Sequence, residues 1–248
     1  AAGQVLAVAV GKAALAMARG ASAAIGPARV RGIAVAPAGA GGEVPGVRGF
    51  EVRLAGHPLP DGGSVEAAEA VKRFLTAAGE GDAVLCLLSG GGSSLLGAPI
   101  EGVTLEEVRR VVAVSLAAGV PIRELNAMRR HLGRLAGGRL ARIVRGELLT
   151  LALSDVAGGR PEDIASGPTV PDPTTWADVR GVLGSHGLWR ETPMGVRRAI
   201  QRGIRDGREE TPKPGDQAFA RSTFAVVGSG TTFLDAAAAA AASRGWAV

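Results

Sequence analysis

Short apolar runs that end near glycine alternate with longer segments of helical periodicity, and this alternation most strongly constrains the fold. Such runs are typical of parallel strands covered by helices on both faces. We predict strands at Gln4 to Val10, Gly32 to Ala36, Phe50 to Ala55, Ala83 to Leu88, Leu148 to Leu153 and Thr223 to Val227. The pattern therefore predicts an α/β fold with a mainly parallel sheet.

The segments between these runs predict helices. We expect helices after Gly11, Gly63, Pro99, Pro121, Thr174, Thr192 and Gly230. Thr104 and Glu107 have the spacing of a capping box, which predicts a helix start. Two segments, 39–46 and 205–217, are rich in glycine or proline and typical of linkers, but neither clearly separates two domains.

Composition excludes several classes of protein. The net charge of +5 is spread over scattered arginines and aromatic residues make up only 3%, which argues against a nucleic-acid partner. No apolar run has the length of a membrane-spanning helix, so no membrane partner is expected. Cys86 is the single cysteine and the first strand lacks a cleavage pattern, so we expect a cytoplasmic protein.

Both ends of the chain indicate a fragment. The sequence enters a predicted strand within its first residues and closes at residues 245–248, where another strand would begin. We therefore expect a domain truncated at both ends, with length for one large domain or two small ones. The oligomeric state stays open, a homodimer included.

The most informative loop follows the predicted strand that ends at Leu88. It reads Ser89, Gly90, Gly91, Gly92, Ser93 and Ser94. Three glycines allow positive φ angles and a close approach of the backbone, so its N–H groups can turn toward a phosphate or carboxylate. A tight structural turn is the alternative, but it does not need three glycines flanked by hydroxyls.

Two basic side chains are predicted to face a ligand. Lys12 follows the first strand at the rim of the expected crevice, where an ammonium could neutralise a phosphoryl oxygen. On a helical wheel Arg129 lies in an apolar arc that includes Ile122, so its guanidinium should find a buried carboxylate or phosphate. The same wheel turns Arg130 elsewhere and predicts an ordinary surface histidine at His131.

Asp155 stands at the carboxyl end of the predicted strand that ends at Leu153. A carboxylate there can bind a metal or accept a proton, although an Asp that caps a turn is the simple alternative. His57, in Gly56-His57-Pro58, is explained as well by a rigid turn as by chemistry. The spacing G-x-x-x-x-G-K-[ST], the G-x-G-x-x-G fingerprint and the G-x-S-x-G elbow are all absent.

Taken together, these segments resemble the glycerate 2-kinase family of the MOFRL type, whose members are often labelled hydroxypyruvate reductases. The matching motifs occur in order along most of the chain, at residues 10–14, 56–61, 88–94, 126–132, 137–140, 154–156, 165–169, 171–173 and 210–216. The resemblance implies a Rossmann-like three-layer α/β/α domain over residues 1–248, with the smaller C-terminal MOFRL domain absent from this chain.

The resemblance also implies a reaction, in which the γ-phosphoryl of ATP is transferred to the 2-hydroxyl of D-glycerate with the help of Mg²⁺. It implies that Lys12 offsets the charge on the moving phosphoryl and that the loop 89–94 binds the phosphate oxygens. It also implies that Arg129 binds the glycerate carboxylate. The loop and Arg129 could exchange these ligands, and Asp155 either holds magnesium or accepts the hydroxyl proton. Asn126, His131 and Lys213 join the site on the resemblance alone.

One departure and two alternatives accompany this hypothesis. After Ser-Asp-Val the family usually has a glycine followed by acidic or small polar residues, whereas Gly158 is followed here by Gly159 and Arg160, which puts magnesium affinity in question. An NAD(P)H-dependent hydroxypyruvate reductase is the first alternative, and the missing dinucleotide fingerprint argues against it. A ligand-binding remnant without catalysis is the second.

Overall fold

Six parallel strands form a single sheet within residues 4–39, 46–155 and 160–246, which are the residues that the computed structural model describes. The strands are β1 (Val5–Val10), β2 (Val30–Pro37), β3 (Phe50–Ala55), β4 (Ala83–Leu88), β5 (Glu147–Ser154) and β6 (Ser222–Ser229). Their order is β3-β2-β1-β4-β5-β6, with every neighbouring pair parallel. The predicted strands are confirmed, with ends that differ by at most two residues.

A helix lies near each predicted start. The helices are α1 (Ala14–Ile25), α2 (Gly62–Thr76), α3 (Gly92–Leu95), α4 (Leu105–Ala117), α5 (Ile122–Leu132), α6 (Arg139–Ile143), α7 (Trp176–Ser185), α8 (Met194–Asp206) and α9 (Gly230–Ala242). Short 3₁₀ segments cover Pro161–Ser166 and Gln217–Phe219. In the described part of the chain, no helix combines the length and apolar character needed to cross a membrane.

The capping box at the start of α4 is confirmed. The Thr104 hydroxyl accepts from the Glu107 amide at 3.2 Å, and the Glu107 carboxylate accepts from the Thr104 amide at 3.0 Å. These bonds satisfy backbone donors that have no partner inside the helix. The helix that the sequence predicted after Pro99 therefore begins at Leu105, directly after this cap.

Alternating side chains of β1 separate two cores, because successive residues of a strand point to opposite faces of the sheet. Ala7 and Ala9 pack with residues of α1 on one face, where their small size lets the helix approach closely. Leu6, Val8 and Val10 pack on the other face with residues of α2, α3 and α6. The predicted three-layer α/β/α architecture is thereby confirmed.

A third core lies among helices rather than against the sheet. Helices α4, α5, α7 and α8 enclose Leu125, Met128, Leu132 and Trp176, all of which are buried. The apolar arc predicted for α5 therefore faces this core, except that Ile122 at its start is 59% exposed. This helical cluster fixes the position of α5 beside the sheet.

The two linker-like segments have different outcomes. The segment 205–217 is not a loose linker, because Thr211 is almost fully buried and its hydroxyl donates to the Asp172 carboxylate at 3.1 Å. Of the segment 39–46, residues 40–45 lie outside the described residues. The same holds for residues 247–248 of the strand expected at the end of the sequence.

The order of the sheet reverses between β1 and β4, which creates the crevice where α/β folds usually bind ligands. The chains that leave these strands are pinned together: Lys12 N donates to Gly90 O at 2.8 Å and Ala13 N donates to the Ser89 hydroxyl at 3.0 Å. A Cβ atom on Gly11 would lie only 2.1 Å from that hydroxyl, so glycine is required there.

Helix packing in the third core gives a prediction about stability. A Cβ atom on Gly203 of α8 would lie 2.0 Å from Cδ1 of Trp176 in α7. We expect Gly203→Ala to lower the free energy of unfolding by about 1–3 kcal/mol through overpacking, measured by urea unfolding. Gly20→Ala is the matched control, since no atom lies within 4 Å of its new methyl group, and it should raise stability by about 0.5–1 kcal/mol. Equal effects of both changes would contradict this packing.

Candidate active site

A cleft of about 400 Å³ opens at the carboxyl ends of β1, β4 and β5, between the sheet and helix α5. The loop after β4 forms one wall and α5 forms the opposite wall. The polar residues that line it are Lys12, His57, Gly90, Gly91, Gly92, Ser93, Ser94, Arg109, Asn126, Arg129, Asp155, Asp163 and Ser166. The structure thus brings together most of the residues that the sequence singled out.

The glycine-rich loop turns directly into the short helix α3. Gly91 has φ +89° and precedes α3, and a Cβ atom on Gly91 would lie 2.8 Å from the His57 ring. Of the three loop serines, Ser89 binds the chain after β1, and Ser94 donates to Gly91 O at 3.0 Å. Only Ser93 pairs across the cleft, with its hydroxyl 2.7 Å from that of Ser166.

Arg129 and Asn126 lie one helical turn apart on α5 and face the cleft. The Arg129 guanidinium donates to the Asn126 amide oxygen at 3.4 Å, and its partial burial lowers the pKa of Arg129. Within the described residues no carboxylate stands within ion-pair distance of Arg129. Among these residues the structural ion pair that could have explained this arginine is not present, and its guanidinium faces the cleft with Asn126 as a side-chain partner.

Asp155 follows β5 and lies against the glycine-rich loop. A Cβ atom on Gly90 would be 1.9 Å from the Asp155 carboxylate, so the side chain occupies space that only glycine leaves open. No group of three or more His, Cys, Asp or Glu side chains among the described residues could hold a metal by itself.

His57 lines the cleft, whereas the sequence left it open between a rigid turn and a chemical role. Burial and the nearby Lys12 ammonium lower the pKa of His57, and the Asp155 carboxylate opposes them. The turn itself is also real, because Gly56 N donates to the Asp61 carboxylate at 2.8 Å. The motif at residues 56–61 was the available signal, but nothing local could show that it reaches the loop after β4.

A second cleft of about 470 Å³ lies on the other side of Lys12. Lys12, Gly90 and Asp155 line both clefts, and Ser229, Thr232 and Phe233 near the start of α9 complete the second. The side chains of Lys12 and Asp155, at the carboxyl ends of β1 and β5, therefore lie where the two clefts meet.

Two expectations for His131, a place on the surface and a place in the site, differ from the structure. It is fully buried rather than on the surface, and it does not line the cleft. Its Nε2 lies 2.9 Å from the Glu210 carboxylate and its Nδ1 lies 3.0 Å from Ala127 O. Its ring also packs edge-on against Trp176, so its contacts are structural.

Arg130 and Lys213 join His131 behind the cleft. The helical wheel predicted that Arg130 points away from the interior. In the structure Arg130 is almost fully buried, and its guanidinium donates to the Asp172 carboxylate at 2.9 Å. Lys213 donates to Glu210 at 2.8 Å and does not line the cleft. Burial alone would raise the pKa of Glu210, but the hydrogen bonds from His131 and Lys213 outweigh it and hold that pKa well below its usual range.

The sequence of this chain is similar to those of a known family and of several named proteins. Residues 1–201 match the family described as "Domain of unknown function (DUF4147)". A glycerate 2-kinase of Pyrococcus horikoshii is 40% identical over 211 residues, which are 85% of this chain and 47% of that protein. A protein of Agrobacterium vitis, provisionally named hydroxypyruvate reductase, is 40% identical over 244 residues, covering 98% of this chain and 53% of that protein.

A solved structure gives the same result for the fold. The crystal structure of a glycerate kinase from Thermotoga maritima superposes with a TM-score of 0.85 at 37% identity, covering 98% of this chain and 55% of that one. The chain thus spans about half the length of the relatives it matches. It belongs to the DUF4147 family, and the predicted resemblance to the glycerate 2-kinase family is confirmed.

Proposed function

We propose that this chain supplies the phosphoryl-transfer site of a glycerate 2-kinase, which converts ATP and D-glycerate to ADP and 2-phosphoglycerate. The observation that carries the proposal is that Lys12 and Asp155 line both clefts. A kinase must bring a nucleotide and an acceptor together at one point, and the protein contributes mainly position and charge. Residues 1–248 would form its N-terminal Rossmann-like part, with the MOFRL domain as the other part.

Arg129 is the proposed ligand of the glycerate carboxylate. Its guanidinium faces the cleft, is partly desolvated and forms no ion pair with the described residues. A planar guanidinium can bind a carboxylate through two parallel hydrogen bonds, which fixes orientation as well as affinity. Glycerate bound in this way would present its 2-hydroxyl, on the carbon next to the carboxylate, toward the shared residues.

Lys12 and the glycine-rich loop are the proposed partners of the transferred phosphoryl. In the reaction the 2-hydroxyl oxygen forms a bond to the γ-phosphorus while the bond to the β-phosphate oxygen breaks. The Lys12 ammonium would offset the charge on the phosphoryl oxygens, and the backbone N–H groups of Gly90 and Gly91 would be donors beside it. Asp155 is placed to accept the hydroxyl proton or to hold magnesium, and both roles fit its position.

The residues present fit magnesium in the way that phosphoryl-transfer sites usually hold it. Mg²⁺ commonly takes one or two carboxylates together with substrate phosphates, so Asp155 alone is a sufficient protein donor. When bound there, the ion would neutralise negative charge on the phosphates. Two nearby acids are engaged elsewhere: Glu162 lies 3.8 Å from Arg160, and Asp163 bonds to Asn126. Of the departure from the family pattern, Gly158 and Gly159 lie outside the described residues, whereas Arg160 is the residue that lies beside Glu162.

The turn after β1 argues against the hydroxypyruvate reductase alternative. Dinucleotide-binding folds place glycines there so that a pyrophosphate can approach the helix that follows. This chain has Lys12, Ala13 and Ala14 after Gly11, and Lys12 points its side chain past Gly91. A cation at this point suits a transferred phosphoryl better than a hydride donor.

The first prediction for this site concerns Lys12. In the natural protein that carries this sequence, Lys12→Ala should lower kcat about 10²–10³-fold, because charge on the transferring group is no longer offset. Lys72→Ala is the matched control, since Lys72 is an exposed lysine on α2 and lines neither cleft. Steady-state kinetics with ATP and D-glycerate would measure both, and an unchanged kcat for Lys12→Ala would remove Lys12 from the mechanism.

The second prediction concerns Arg129. Arg129→Ala should raise the KM for D-glycerate about 10- to 100-fold, the range expected for loss of charged hydrogen bonds to a carboxylate, and leave the KM for ATP unchanged. Arg123→Ala removes an exposed arginine from the same helix and should change neither value. A rise confined to ATP would show that the loop and Arg129 have exchanged ligands.

A further inference from the structure

A chain of polar contacts runs from the interior to the cleft through Asp163. The Asp163 carboxylate is 9% exposed and accepts from the Asn126 amide nitrogen at 3.1 Å. The amide oxygen of the same Asn126 accepts from Arg129 at 3.4 Å. The same Asp163 oxygen, Oδ1, lies 3.4 Å from the guanidinium of Arg130, which is buried and also bound to Asp172.

The charges at the two ends decide which way the Asn126 amide points. An ionised carboxylate can only accept hydrogen bonds and a guanidinium can only donate them. The amide must therefore present its NH₂ group to Asp163 and its oxygen to Arg129. A reversed amide would place two acceptors together at one end and two donors together at the other.

We infer that Asp163 is a positioning residue that sets the Asn126 amide and thereby holds Arg129 toward the cleft. The inference rests on the proposed function for its kinetic consequence, since Arg129 is the proposed ligand of the substrate carboxylate. Arg130 and Asp172 keep Asp163 in place: their ion pair is buried between α5 and the segment that follows residue 170, so the carboxylate cannot turn away freely.

Asp163→Asn is the decisive change because it keeps the shape and removes the charge. The carboxamide oxygen that faces both Arg130 and Asn126 then accepts more weakly than a carboxylate oxygen, so it holds the Asn126 amide less firmly and leaves that amide able to turn away from Arg129. We expect the KM for D-glycerate to rise about threefold to tenfold in the natural protein, with the KM for ATP unchanged. Glu162→Gln neutralises the neighbouring acid, whose side chain faces Arg160, and serves as the matched control.

A double-mutant cycle separates positioning from a general structural effect. In an Arg129→Ala background, Asp163→Asn should raise the KM for D-glycerate no further, because Asp163 acts through Arg129. An equal rise in both backgrounds would overturn the inference. If Asp163→Asn lowers Tm enough to prevent folding, Asn126→Ala breaks the same path and keeps the pair of Asp163 and Arg130, and it must show the same non-additivity.

A readout without catalysis keeps this inference distinct from the proposed function. The ¹⁵N resonance of Arg129 Nε, assigned by its loss in Arg129→Ala, reports the surroundings of the guanidinium with no substrate present. It should shift in Asp163→Asn and not in Glu162→Gln, and an unchanged resonance would overturn the inference. Lack of kinase activity in the unsubstituted protein would instead contradict the proposed function, and the resonance would still decide the role of Asp163.

Discussion

The candidate site depends on how closely the chain after β1 approaches the chain after β4. Gly11 has no side chain to hold these segments apart, and the Ser89 hydroxyl and Gly90 carbonyl bind the backbone of residues 12 and 13. This contact lies where the order of the sheet reverses, so it fixes Lys12 beside the glycine-rich loop. Gly90 in turn leaves room for Asp155 from the next strand. Three strand ends thereby deliver a cation, a set of backbone donors and a carboxylate to one place.

Charge is divided between the cleft and the layer behind it. Arg129 faces the cleft, whereas the adjacent Arg130 and His131 face inward and meet Asp172 and Glu210. Burying charges is costly unless each has a partner, so this inner set must be well matched to be stable. These pairs mean that α5 is held in place by polar contacts with Asp172 and Glu210 as well as by its apolar packing. The cleft thereby keeps the cations Lys12 and Arg129 on its surface, while Asp163, its carboxylate besides Asp155 among the described residues, is engaged by Asn126 and Arg130.

Local patterns predicted the parts of this protein that local forces determine. Apolar runs predicted the strands, and the strand ends predicted the places of Lys12, the glycine-rich loop and Asp155. The wheel of a single helix predicted the inward side of Leu125 and Met128 but misplaced Arg130 and His131, because their partners lie 42 and 79 positions further along the chain. His57 was missed for the same reason: its turn is local, but its approach to Gly91 joins two distant loops. Roles of the cleft residues in catalysis stay predictions.

Identity of the product tests the central claim most directly. The natural protein that carries this sequence would be supplied with D-glycerate, ATP and Mg²⁺, and the product coupled to enolase without a mutase, since enolase consumes only the 2-phosphate. A glycerate 2-kinase gives an immediate signal that requires ATP. A folded protein that gives signal only after a phosphoglycerate mutase is added, or that instead oxidises NADH with hydroxypyruvate and no ATP, would contradict the account.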